Sequence, residues 1–136
     1  MVKPIVRDIF LLSGKSQTAQ MSDIGVGDDL LDTLKANESR CVGLAANMIG
    51  VRKRVIAFRS GHADRLMFNP EIIKKSMPYE TEEGCLSLDG VRTAKRFRVI
   101  TVKWQDKAMG WHTETFTGFD AQIIQHEIDH CNGILI

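Results

Sequence analysis

The sequence predicts an α+β fold, a mostly antiparallel sheet packed around a C-terminal helix, and three observations carry that expectation. An amphipathic segment lies early in the chain. Apolar and β-branched runs separated by turn residues fill its middle. A second helical segment comes last, after the strands rather than between them.

Asp28–Glu38 places Leu30, Leu31 and Leu34 at helical spacing, with Asp28 and Asp29 where carboxylates favour the helix dipole. Val55–Phe58 reads as a short core strand, and Leu66–Phe68 as another, stopped by Asn69-Pro70. In Phe97–Trp104, Arg98, Ile100, Val102 and Trp104 fall on one face of a strand and Phe97, Val99 and Thr101 on the other. Asp106–Gly110 supplies turn chemistry and Trp111–Thr117 a further β-rich run, so this pair reads as a hairpin. Asp120–Cys131 reads as the late helix, with Ile123, Ile124 and Ile128 as its apolar residues. Gly118 precedes it and Asn132-Gly133 forms its C-terminal stop.

A length of 136 residues predicts one domain, 1–136, and 43% hydrophobic with 26% charged residues is enough to bury a core. Lys and Arg total 18 against 17 for Asp and Glu, which excludes a globally basic nucleic-acid binder, and nucleic acid is not expected as the primary ligand. The basic window of Arg92, Lys95, Arg96, Arg98 and Lys103 reads as a solvated strand face, with Glu80, Glu82 and Asp89 near enough in sequence to pair with it. Cys41, Cys85 and Cys131 form a poor disulfide framework and read as reduced thiols. Arg7 and Asp8 interrupt the apolar residues of Met1–Leu12, so neither a secretory segment nor a membrane span is expected, and the expected location is cytoplasmic.

The chemistry concentrates in His126-Glu127-Ile128-Asp129-His130, an H-E-x-x-H on the late helix. Histidines at i and i+4 project to one side, about 5–6 Å apart at Cβ, so a single metal ion can engage both. Glu127 projects nearby, where a carboxylate can take a proton from an activated water and pass it to a leaving amine. A catalytic metal needs a third protein ligand, and the six residues after His130 contain neither Glu nor His, so that ligand is expected upstream. Cys85, in Glu83-Gly84-Cys85-Leu86-Ser87, is the best candidate; Cys131 sits about 100° around the helix from His130 and should point away. His62 and His112 read as surface or edge histidines without partners.

Three segments together resemble the peptide deformylases. That family carries G-x-G-L-A-A-x-Q, E-G-C-L-S and Q-H-E-x-D-H; this chain has Cys41–Met48, Glu83–Ser87 and Gln125–His130 in that order, over a resemblance spanning Val26 to Leu135. The resemblance implies hydrolysis of the formyl group from N-formylmethionyl ends of nascent chains at the ribosome, releasing formate. It also implies Cys85, His126 and His130 as ligands of Fe²⁺ in the cell, with Zn²⁺, Ni²⁺ or Co²⁺ able to occupy the site. Glu127 is then the acid/base and the Leu86 backbone N–H an oxyanion donor. The peptide would lie as an added strand along Val42, Gly43 and Leu44, its methionine side chain in a pocket to which Ile124 or Val42 contributes, with Arg92 contacting it farther along.

Two departures stand out. The first motif normally begins with Gly and ends with Gln, where this chain has Cys41 and Met48. In the family the Gln amide helps hold the developing oxyanion, and a thioether donates no hydrogen bond. Losing one such donor typically costs about 10²–10³ in rate, which predicts a slow deformylase unless Asn47 or a water takes its place. The altered motif keeps two other readings open: an amidase for another N-acyl substrate, or a non-catalytic formyl-peptide-binding relative. Because the chain ends at Ile136 it resembles the short members of the family, and ribosome docking through a C-terminal helix is not expected.

Overall fold

A computed structural model describes residues 1–136. The elements in order are α1 (Ile9–Leu12), α2 (Ile24–Ala36), β1 (Gly43–Ala45), β2 (Val55–Ser60), β3 (Ala63–Cys85), β4 (Leu88–Gln105), β5 (Trp111–Thr117) and α3 (Gly118–Cys131). The strands form one antiparallel sheet in the order β1-β2-β3-β4-β5. No helix is long and apolar enough to cross a membrane.

The expected α2 begins four residues earlier, at Ile24. Its early turn includes Gly27, where a Cβ would lie 2.7 Å from both Leu66 and Phe68, so the glycine lets the helix approach the sheet. Leu30 and Leu34 are fully buried on the same side.

Asn69-Pro70 does not end a strand. β3 runs on to Cys85, and the register slips between Phe68 and Glu71. Asn69 takes a left-handed φ of 53°, a conformation Asn tolerates, and its side chain bonds the Ala19 N–H and carbonyl and the Gln105 amide oxygen. Beyond Phe68, β3 has β4 as its single neighbour, so Pro70 and Pro78 lack an N–H where one is not needed. The consequence is a long β3–β4 ribbon that closes through the tight turn at Leu86-Ser87, with Cys85 opposite Leu88 at its tip.

α3 is buried almost all round. Ile123, Ile124 and Ile128 are each under a tenth exposed, and burial of such side chains contributes roughly 1.5–3 kcal/mol apiece. Polar residues then fix the ribbon to the helix. Gln125 pairs with the Phe97 backbone as a neighbouring strand would, accepting from its N–H and donating to its carbonyl, both at 2.8 Å. Arg96, expected in a solvated face, is instead buried, and its guanidinium bridges Glu83 on β3 and Asp129 on α3, both at 2.7 Å. Alternation along β4 puts Arg96 on the same inward side as Ala94, Ile100 and Val102. His112 also has partners, stacking on Trp104 and sitting 2.6 Å from Asp106.

Glu83 carries a pH signature. Burial opposes its charge, but hydrogen bonds from His126, Arg96 and Gln122 outweigh that and hold its pKa at about 2, against an ordinary 4.5. A depressed folded value means the stabilisation is present above pH 4.5 and is lost as the pH falls towards 2. In urea unfolding of the metal-free protein, this group is expected to account for a loss on the order of 3 kcal/mol across that window. Glu83→Gln should be less stable near neutrality yet decline less steeply in acid. An equally steep acid decline in the variant contradicts the assignment.

Candidate active site

The ribbon tip, the β1 edge and the inner face of α3 enclose a cleft of about 600 Å³. The tip contributes Gly84, Cys85 and Leu86; the segment leading into β1 contributes Cys41, Val42 and Gly43; α3 contributes Ile123, His126 and Glu127. Met48, from the turn after β1, closes part of the wall. Residues about 40 positions apart in sequence therefore meet because a long ribbon folds back onto one helix.

Cys85, His126 and His130 bring one sulfur and two imidazole nitrogens within 4.8 Å of one another. Cys85 Sγ lies 3.3 Å from His130 Nε2, which lies 3.1 Å from His126 Nε2. The i, i+4 spacing on α3 and the turn of the ribbon create this convergence. Three such donors fit a divalent transition-metal ion and leave a further position open. His126 Nδ1 is 2.8 Å from Glu83 Oε1, an arrangement that orients the ring and presents Nε2 to the cluster. Burial opposes a proton on either ring; Cys85 and Glu83 nonetheless raise the His126 pKa, while burial and the neighbouring His126 lower that of His130. The additional proton of the pair is therefore favoured on His126 over His130, and a metal held at Nε2 would compete with it.

Glu127 is buried, and that burial pushes its pKa to about 7, close to the balance point a group needs to accept and return a proton near neutrality. Its Oε1 has no protein partner. Its Oε2 packs against Gly43, where an added Cβ would lie 2.8 Å from that oxygen and 2.7 Å from Ile123. Glycine at 43 is thus what lets the carboxylate and the β1 backbone share the cleft.

Other residues singled out in the sequence are distributed less evenly. Val42, Gly43 and Leu86 line the cleft, whereas Leu44 and Ile124 are fully buried elsewhere; Ile123 takes the cleft-facing place instead of Ile124. Arg92 lies outside the lining, and its guanidinium donates to the Asp89 carbonyl at 3.2 Å. Arg7 reaches the cleft instead, held by Asp89 at 2.6 Å and by the Leu86 carbonyl at 3.4 Å. Nothing local to Arg7 signals this, since its partners lie about 80 residues away; Arg40 also lines the cleft and directly precedes the first motif. Asn47 does not face the cleft: its amide donates to the His130 carbonyl at 2.9 Å. Burial pushes the Cys41 and Cys131 thiols to about 12; Cys131 is fully buried in the core, and Cys41 lines the cleft.

The sequence and backbone both have close counterparts. Residues 11–136 match the model of the polypeptide deformylase family. A peptide deformylase of Clostridium beijerinckii is 54% identical over 136 residues, all of both chains. One from Heliobacterium modesticaldum is 39% identical, covering 97% of this chain and 85% of its own. Among solved structures, a Met-Ala-Ser-bound class I type b peptide deformylase from Acinetobacter baumannii superposes with a TM-score of 0.89 at 29% identity, covering 99% of this chain and 97% of that one. Agreement of this extent, reaching across the ribbon, the β1 edge and the helix that together build the cleft, means that the chain belongs to the polypeptide deformylase family.

Proposed function

We propose that this protein hydrolyses the formyl group from N-formylmethionyl ends of newly made polypeptides in the cytoplasm, with ferrous iron as the metal of the cell. The observation that carries the reading is the convergence of Cys85, His126 and His130 beside a buried, partnerless Glu127 oxygen in a peptide-sized cleft. Cys85, His126 and His130 would hold the metal, which when bound supplies Lewis acidity toward the formyl oxygen and toward a water. Thiolate and imidazole donors suit iron, zinc, nickel or cobalt.

The protein's own groups then divide the work. Glu127 takes a proton from the attacking water and delivers it to the departing amine, which leaves as the new methionyl terminus with formate as co-product. The Leu86 N–H, at the ribbon turn, donates to the developing oxyanion. The peptide extends along Val42 and Gly43 as an added strand, and Ile123 and Val42 supply apolar contact for the methionine side chain. Met48 leaves the oxyanion one donor short, and Asn47 cannot replace it because its amide is committed to His130. The consequence is a slow enzyme.

Formate release from formyl-Met-Ala-Ser by protein purified anaerobically with Fe²⁺ tests the reading. Release is expected, and Glu127→Ala is expected to reduce it by at least about 10²-fold. Equal release by the two proteins contradicts the role of Glu127, and no release by either contradicts the activity. Faster acetate release from acetyl-Met-Ala-Ser would instead favour an amidase of different acyl preference, a reading that Met48 keeps in play. Met48→Gln is expected to raise kcat by about 10-fold or more; an unchanged kcat means that the oxyanion is not the deficit.

A further inference from the structure

β1 is an edge strand. Its register sets Gly43 opposite Phe58 and Leu44 opposite Ala57, and the Arg59 N–H donates to the Val42 carbonyl at 2.8 Å. Opposed residues in an antiparallel pair alternate between hydrogen-bonded and non-hydrogen-bonded positions. Val42 and Leu44 therefore bond to β2, while Gly43 and Ala45 turn their N–H and C=O groups towards the open edge. Such an edge beside a cleft is where an extended peptide adds.

Sulfur atoms already cap it. The Cys41 thiol donates to the Gly43 carbonyl at 3.0 Å, and Met48 Sδ accepts from the Ala45 N–H at 3.5 Å. Ile123 and the Glu127 carboxylate occupy the space beside Gly43, standing 2.7 and 2.8 Å from where a Cβ would lie, so the strand backbone is packed closely against α3 there.

We propose that Cys41 is a positioning residue that gates the peptide-binding edge: its thiol occupies the Gly43 carbonyl, and an incoming peptide N–H must displace it to dock. The proposal rests on the reading of the cleft as a peptide site given above. It acts through the Gly43 carbonyl and touches no reacting atom, so it weakens ground-state binding and bears on KM more than on kcat. A thiol is a weak donor, which lets a peptide amide displace it at modest cost.

The test compares Cys41→Ala, which removes the donor, with Cys41→Ser, which keeps one. In the Fe²⁺-loaded protein, Cys41→Ala is expected to lower KM for formyl-Met-Ala-Ser by roughly two- to tenfold, the range one net hydrogen bond spans, with a smaller change in kcat. Cys41→Ser should leave KM at or above the parent value. Loss of packing alone would raise KM or lower kcat, the opposite direction. The Kd of the unformylated Met-Ala-Ser is measured in parallel and should follow the same order. That measurement needs no turnover, so absence of formate release overturns the proposed function while the Kd series still decides the gate. An unchanged or raised Kd in Cys41→Ala, an equal fall in Cys41→Ser, or no binding by any of the three proteins overturns it.

Discussion

The structure depends on one docking event, the tip of the β3–β4 ribbon laid against α3. Leu88 joins the apolar core that α3 also enters, and buried charge ties the two partners together. Arg96 spans Glu83 of the ribbon and Asp129 of the helix, and Glu83 in turn receives Gln122 and His126. Removing one member of such a set leaves a buried charge uncompensated, commonly at a cost of about 3–5 kcal/mol. Tying stability to Glu83 also ties it to the candidate site, because the carboxylate that anchors the ribbon orients the first histidine of the candidate ligand cluster and lies two residues from Cys85.

Much of this was legible before the fold was known, because it is written in local spacing. Histidines four apart on a helix must share a face, and the lack of Glu or His after His130 implies an upstream third ligand such as Cys85, whose thiol lies 3.3 Å from His130. The hairpin of β4 and β5 and the stop at Asn132-Gly133 also followed from neighbours in sequence. Features that depend on distant partners were not legible. Arg96 looks like its neighbours in a basic run, and only the arrival of α3 over its face buries it. Asn69-Pro70 carries a strong breaker signal, yet tertiary bonds to Ala19 and Gln105 turn it into a bulge inside a continuing strand. Arg7 could be placed in the cleft only by knowing where the N-terminal segment runs.

The departures from the family motif at Cys41 and Met48 acquire a common physical sense. Both side chains carry sulfur, and both sulfurs engage the outward-facing backbone of β1. One meets the carbonyl that an added strand would use; the other replaces an amide that could have donated to an oxyanion. In the proposed reading they bear on different stages of one reaction, Cys41 on docking and Met48 on the barrier, while Glu127 and the three candidate ligands match the family pattern.

The ligand set is the point on which all of these readings converge, and X-ray absorption at the metal edge of the Fe²⁺-loaded protein addresses it most directly. One sulfur scatterer near about 2.3 Å together with two imidazole nitrogens is expected, and the sulfur signal should vanish in Cys85→Ala. A shell of nitrogen and oxygen alone in the parent protein, or an unaltered sulfur shell in the variant, would contradict the assembly of the site from the ribbon tip and the helix.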